Sequence, residues 1–229
     1  MFTNYPIRLI NNHIIVDAEQ QLIVDTGSPV SFHSSDMINL CGESIAVKTS
    51  IPGVSADYLS SKVGTRIDGL LGMDIIHRYP LMIDLHCGFM FVDDDAVYPH
   101  ALEDFELGPL AQGLLAIRMT VNNRPVKMIV DTGAPVSYIN QSIVSGMVSD
   151  GEIDDFHPLI GDFHTNTYHC DVIPMIGEQP YNQLFGVLPT MLGMTLAMIQ
   201  ADGIIGIELF KRYRIQIREG RLYLPPQGI

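Results

Sequence analysis

The sequence predicts an all-β chain of two lobes produced by internal duplication, and three observations carry that prediction. An apolar run ending in Asp-Thr-Gly occurs twice: residues 22–30 are Leu-Ile-Val-Asp-Thr-Gly-Ser-Pro-Val and residues 128–136 are Met-Ile-Val-Asp-Thr-Gly-Ala-Pro-Val. A second pair follows in the same order, Asp-Gly-Leu-Leu-Gly at 68–72 and Asp-Gly-Ile-Ile-Gly at 202–206. The echo runs on through residues 73–79 against 207–213, and the apolar residues 89–92 have a counterpart at 221–224. Ordered self-similarity of this length describes the whole architecture.

The elements follow in chain order. Residues 7–10 and 13–16 form a hairpin around Asn11 and Asn12, residues that accept the positive φ of a tight turn. Residues 21–24 are the strand that delivers Asp25. Short helices are expected after Gly72 and Gly206, each followed by paired strands, the first pair ending near Val92 and the second near Leu224. In the second half, residues 114–121 and 126–130 flank a turn of Asn122, Asn123, Arg124 and Pro125. The most apolar stretch, 184–199, is too short for a membrane span and is interrupted by Gly186, Pro189 and Gly193. It is expected in the core, with Met191, Met194 and Met198 as filler.

The boundary between lobes is placed in residues 93–113, where the chain turns acidic and loses periodicity, giving lobes of 1–100 and 101–229. The halves are unequal. Asp25 precedes Asp68 by 43 residues and Asp131 precedes Asp202 by 71, so the second half carries an extra hairpin or longer loops.

Composition narrows the partners. With 47% apolar and 17% charged residues in a chain of 229, a packed core is expected. The net charge of −13 argues against nucleic acid or an anionic membrane, both of which attract Lys and Arg. Cys41, Cys87 and Cys170 are too widely spaced for a zinc site or a disulfide framework. The first ten residues show no basic region leading into an apolar run, so the expectation is a cytoplasmic protein. His157, His164 and His169 lie near Asp162, Cys170 and Asp171, but their spacing fits no helical or knuckle ligand pattern, and no metal or other cofactor is expected.

The chemistry lies in the triplets. Each Asp ends a strand. Gly27 and Gly133 are expected to supply backbone angles closed to other residues and to bring main-chain N–H groups to the carboxylate. Thr26 and Thr132 can bond across to the opposite loop, and Gly72 and Gly206 allow close packing beneath the Asp strand. Two such halves about a local twofold would bring two carboxylates together.

Two Asp-Thr-Gly triplets, each followed by an apolar-apolar-Gly element, resemble the aspartic peptidases, both pepsin-like and retropepsin-like. The resemblance covers about residues 5–226: retropepsin-sized lobes, duplicated and fused on one chain as in the pepsin-like family. It implies a bilobal acid-protease fold and an endopeptidase acting as a monomer on peptide or protein substrates. Asp25 and Asp131 would be the catalytic pair, and Thr26, Gly27, Ser28, Thr132, Gly133 and Ala134 the supporting loops. Close carboxylates cannot both ionise cheaply, so the pair shares a proton; the aspartic peptidases are the standard example of such a dyad. The alternative is a peptide-binding module that keeps the fold without turnover.

Two finer expectations complete the reading. A hairpin covering the cleft is sought at 51–59, with Pro52 and Gly53 at its tip, or at 158–168, with Gly161 near the tip. Tyr58 or Tyr168 would close over substrate or serve as an ordinary surface or core tyrosine. The longer second half favours 157–175 as the cover. Position three after Asp is Ser28 in one half and Ala134 in the other. If the Ser28 hydroxyl donates to Asp25, Asp25 leans toward base and Asp131 toward acid; otherwise Ser28 satisfies a turn.

Overall fold

The structure is a computed structural model, and it describes residues 3–92, 107–108, 111, 113–157, 160–174 and 179–223. In the first half, β1 (Thr3–Ile10) and β2 (His13–Asp17) pair with Ile10 opposite His13. Asn11 and Asn12 turn the chain at φ 46° and 63°, the left-handed pair that matches strand twist. Then follow β3 (Gln21–Val24), β4 (Phe32–His33), β5 (Met37–Leu40), β6 (Glu43–Ala46), α1 (Ala56–Val63), β7 (Gly69–Leu71), α2 (Met73–Ile76), β8 (Leu81–Asp84) and β9 (Phe89–Val92). The helix α1 starts where the Ser55 side chain accepts the Tyr58 N–H and stops at Gly64, whose φ is 77°. Its Ala56, Leu59 and Val63 share one face and bury it against Ile15, Ile23, Phe32 and Leu70.

The second half contains β10 (Ala116–Val121), β11 (Arg124–Val130), β12 (Ser137–Ile139), β13 (Gly151–His157), β14 (Gly161–Ile173), β15 (Tyr181–Val187), α3 (Thr190–Met198), β16 (Gly203–Ile205), α4 (Glu208–Arg212), β17 (Ile215–Arg218) and β18 (Arg221–Tyr223). A 3-10 turn, Gln141–Ile143, follows β12.

Two large sheets result, in the orders β18-β17-β8-β9-β1-β2-β3-β7-β4 and β10-β11-β16-β12-β15-β14-β13. The Asp-bearing strands have the same neighbours in both halves. Leu22, Ile23 and Val24 lie in parallel register with Gly69, Leu70 and Leu71; Met128, Ile129 and Val130 lie so with Gly203, Ile204 and Ile205. On the far side β4 runs antiparallel to β7, and β12 to β16. Flanked on both sides, these strands are buried on both faces and carry continuous apolar runs.

The halves also share a sheet. The C-terminal hairpin β17–β18 adds to β8, with Ile215 opposite Ile83. Beside that seam the Arg214 guanidinium holds the buried Asp84 carboxylate at 2.5 Å. Burial works to raise the Asp84 pKa, but the Cys87 N–H and Arg214 outweigh it and hold the carboxyl below its ordinary value. One cluster of buried side chains contains Ile83 and Met90 from the first half and Ile117, Phe210 and Ile217 from the second.

Two expectations need correcting. The turn after β10 comprises two residues, Asn122 and Asn123, while Arg124 and Pro125 already pair with Val121 and Thr120 in β11. Pro125 is exposed and stands in the ladder without needing an N–H on that side. The stretch 184–199 is core only in part: Leu188, Leu192, Leu196 and Ile199 are buried, whereas Met191, Met194 and Met198 are 62–67% exposed. Helical spacing sends the methionines and the leucines to different faces of α3. The boundary segment lies almost wholly outside the described residues, as does Leu224.

Candidate active site

Asp25 and Asp131 each follow the last residue of a strand, and the same bonds hold each in place. The Asp25 N–H donates to the Leu71 carbonyl at 3.0 Å, and the Asp131 N–H to that of Ile205 at 3.0 Å. Gly27 N–H donates to Asp25 Oδ1 at 2.9 Å and Gly133 N–H to Asp131 Oδ1 at 2.8 Å. The threonines cross the interface. Thr26 Oγ1 donates to the Val130 carbonyl and accepts the Thr132 N–H; Thr132 Oγ1 donates to the Val24 carbonyl and accepts the Thr26 N–H. These four bonds, at 2.6 to 3.0 Å, tie two fully buried hydroxyls to the opposite loop. An unmade buried bond costs about 1–3 kcal/mol, so the loops are fixed relative to one another.

The glycines bring their N–H groups to the carboxylates as expected, but not through special backbone angles. Neither Gly27 nor Gly133 has a positive φ. A Cβ on Gly27 would lie 2.2 Å from the Asp131 carboxyl carbon, and one on Gly133 would lie 2.7 Å from that of Asp25. Each glycine therefore makes room for the opposite carboxylate, and the two acids face one another across the loops. Gly72 and Gly206 provide close packing as expected: a Cβ would meet the Ser28 carbonyl oxygen at 2.9 Å or that of Ala134 at 2.5 Å.

Confinement acts on both acids. Burial, then the neighbouring Asp131 charge, pushes Asp25 well above the ordinary carboxylate range. Burial also raises Asp131, against the Gly133 N–H and a hydrogen bond from Asp25 that stabilise its charge. The pair therefore holds a proton more tightly than ordinary carboxylates do. The expected lean of Asp25 toward base rested on the Ser28 hydroxyl, which donates to the Val30 carbonyl at 2.8 Å rather than to Asp25. Ser28 satisfies a turn.

Residues that the repeat displayed without an assigned role form the frame. Ser31 Oγ accepts the Gly72 N–H and donates to Asp74 at 2.5 Å; Ser137 Oγ accepts the Gly206 N–H and a Gln183 side-chain N–H at 2.5 Å. Asp68 accepts the Gln21 N–H and Asp202 that of Lys127, which clamps the start of each parallel pair. The recurrence of Ser six positions after Asp was the available signal.

Above the acids lies a cleft of about 420 Å³. Ile23, Ile51, Pro52, Val54, Leu59 and Leu70 line it from the first half, and Pro135, Tyr138, Phe163, Leu188, Leu192 and Ile204 from the second. Polar lining comes from His13, Lys48, Asp155 and His157. Of the possible cover residues, Pro52 borders the cleft, while Gly53, Tyr58, Gly161 and Tyr168 do not. Residues 51–54 make a bridged tight turn leading into α1, too short to be a hairpin flap. Tyr58 lies on α1, edge-on to Phe156 at 5.8 Å, and Tyr168 is in the core. In the second half β13 and β14 form a long hairpin, with Gly161 at φ 78° opposite His157. It brings Asp155, Phe156, His157 and Phe163 to the cleft. Pro158 and Leu159 lie outside the described residues. His164 and His169 bond Asp154 and Asp150 on that hairpin and its approach. Among the described residues no helix is long and apolar enough to cross a membrane.

No family model matches this chain, and no curated protein matches it in sequence. Among solved structures, it is similar to a retropepsin-like aspartic protease from Rickettsia conorii: TM-score 0.37, 17% identity, covering 56% of this chain and 95% of the other. It is also similar to the retroviral protease-like domain of Ddi1 from Leishmania major, with TM-score 0.31, 18% identity and coverage of 50% and 96%. Basic 7S globulin from soybean aligns over 100% of this chain and 97% of its own, with TM-score 0.50 and 10% identity. That last likeness is one of fold, and it extends over the whole chain.

Proposed function

We propose that the chain is an aspartic endopeptidase in which Asp25 and Asp131 activate one water for attack on a peptide carbonyl. The observation that carries this reading is the pair of half-buried carboxyls, each accommodated by the other loop's glycine and sharing a raised affinity for a proton. The ionised member of the pair accepts a proton from the water; the protonated member donates to the carbonyl oxygen, and a proton then passes to the leaving amine. No covalent intermediate forms. The apparent pKa values belong to the pair.

On this reading residues 1–100 and 101–229 are duplicated lobes about a local twofold axis, and one monomer holds a complete site. The matched registers of β3–β7 and β11–β16, and the reciprocal threonine bonds, support it. The cover is the β13–β14 hairpin, because its residues border the cleft while the first-lobe segment is only a tight turn. The substrate is an extended peptide with apolar side chains.

The test is cleavage of a peptide library across pH, with and without pepstatin, by the wild type and by Asp25→Asn and Asp131→Asn. Each variant should lose at least about 1,000-fold in kcat/KM, because neither carboxyl can act as both acid and base. Turnover within tenfold of wild type in either folded variant rejects the dyad.

A further inference from the structure

One wall of the cleft departs from the apolar lining. His13, on the first-lobe hairpin, is 7% exposed and borders both the cleft and an adjoining cavity of about 650 Å³. Asp155, on β13, borders the same two spaces. The two residues therefore stand where the cavities meet.

Both present acceptors. His13 Nδ1 lies 2.9 Å from the Asn11 carbonyl, which can only accept, so Nδ1 carries the hydrogen. A neutral ring then has a lone pair on Nε2, and the Ile10 main chain is a second backbone neighbour of the ring. Burial lowers the His13 pKa, against the attraction of the Asn11 carbonyl and of Asp155, which favours the neutral ring. Asp155 accepts the Tyr138 hydroxyl on one oxygen and the Phe156 N–H on the other. Each carboxylate oxygen accepts about two bonds, so room for donors remains.

The carboxylates around Asp155 have cationic partners. Asp162 holds Lys62 at 2.5 Å and Asp154 bonds His164. No Lys, Arg or His nitrogen is in ion-pair contact with Asp155 among the described residues. Lys48, which also borders the cleft, belongs to the first-lobe wall, where its carbonyl accepts the His33 N–H. Asp155 makes no ion pair among the described residues, and the basic groups that it attracts, His13 and His157, are held toward the neutral form by burial; such a carboxylate at the end of an apolar groove is matched by a long side chain with an apolar stem and a positively charged donor at its tip.

We propose that Asp155 and His13 form a specificity subsite for a lysine or arginine side chain of the bound peptide. The inference rests on the proposed peptide-binding cleft, but it concerns recognition and not turnover. It gives the cleft a charged anchor, so that one position of an otherwise apolar peptide is read by charge.

The experiment measures equilibrium binding and cleavage of a set of apolar hexapeptides in which lysine, norleucine or Nε-acetyl-lysine is moved through each position. At one position the wild type should bind the lysine peptide at least about tenfold more tightly than the norleucine peptide, the worth of one charge-assisted contact. Acetyl-lysine, which keeps the length and an N–H but loses the charge, should fall to the norleucine level. Asp155→Asn keeps an acceptor for Tyr138 and should bring the lysine-to-norleucine ratio to within twofold. No position favouring lysine, equal binding of acetyl-lysine, or a ratio that persists in Asp155→Asn overturns the proposal. Should that variant not fold, the acetyl-lysine comparison on wild type decides by itself. Binding with lysine preference but without cleavage refutes the peptidase reading and leaves the subsite standing. Cleavage without preference does the reverse.

Discussion

The two Asp loops and the segments built between them teach opposite lessons. From Asp25 and from Asp131 the same atoms make the same bonds: to the carbonyl of the parallel strand, from the glycine N–H, and through threonine to the other loop. Between each Asp and its apolar-apolar-Gly segment the halves diverge. The first spends its 43 residues on the small β5–β6 ribbon and α1; the second spends 71 on the β13–β14–β15 strands and α3. The floor of the site repeats closely because a Cβ on either loop glycine would strike the opposite carboxyl. The walls above it face open space, and there the halves are free to differ.

The frame beneath the floor shows how far the likeness goes. Ser31 is braced by the Asp74 carboxylate. Ser137 is braced by the Gln183 amide, whose Oε1 is buried without a partner among the described residues. Glu208, which corresponds to Asp74 in sequence, pairs with Lys211 instead. A shared backbone N–H needs a shared hydroxyl, but what steadies the hydroxyl is open to substitution.

The largest expected effect strikes where the halves are most alike. Gly27→Ala and Gly133→Ala should each lower kcat/KM by at least about 100-fold, since a displacement near 1 Å at a reacting group has that consequence. Gly27→Ala should be the worse, because its Cβ would lie 2.2 Å from the opposite carboxyl carbon against 2.7 Å for Gly133. Near-wild-type kinetics of either folded variant would break the claim that the glycines make room for the acids.

Replacing the acids themselves separates their charges. Both folded-state pKa values are raised, so the unfolded chain releases these protons at lower pH than the folded one. Their contribution to stability is therefore most favourable in acid and is lost as pH rises from about 4 through the folded values. At pH 7 Asp25→Asn should be more stable than wild type to urea, and the gain should shrink on acidification. Equal urea midpoints for Asp25→Asn and wild type from pH 4 to 8 would remove the confinement argument.

Ser31→Ala and Ser137→Ala compare the braces. Each removes the acceptor of a buried glycine N–H. Ser31→Ala also takes a donor from a carboxylate and should cost about 2–3 kcal/mol, against about 1–2 kcal/mol for Ser137→Ala, whose amide is already half-satisfied. Urea midpoints would check the order, and a reversed order would show that Gln183 braces its hydroxyl better than Asp74 does. The smallest effect belongs to Ser28→Ala. With its hydroxyl turned to Val30, the acidic limb of the pH–rate profile should not move. A displaced limb would restore Ser28 as a tuner of the pair.

The sequence by itself determined whatever depends on neighbours along the chain. The Asn11-Asn12 hairpin, the strands before each Asp and the short helices after Gly72 and Gly206 were legible, because turn chemistry and apolar runs are local. So was the pairing of Asp25 with Asp131, since a repeated segment in repeated order implies repeated packing. Tertiary structure alone decided what depends on distant atoms. It assigned the glycines to the opposite carboxylate, turned the Ser28 hydroxyl away from the acid and raised the proton affinity of both acids. It set α3 with its leucines inward and its methionines outward, and it brought His13 beside Asp155 although 142 positions separate them in the chain. The physical reason is that a close approach, or a shift in proton affinity, is the sum of contacts from many segments. No single stretch of sequence contains that sum.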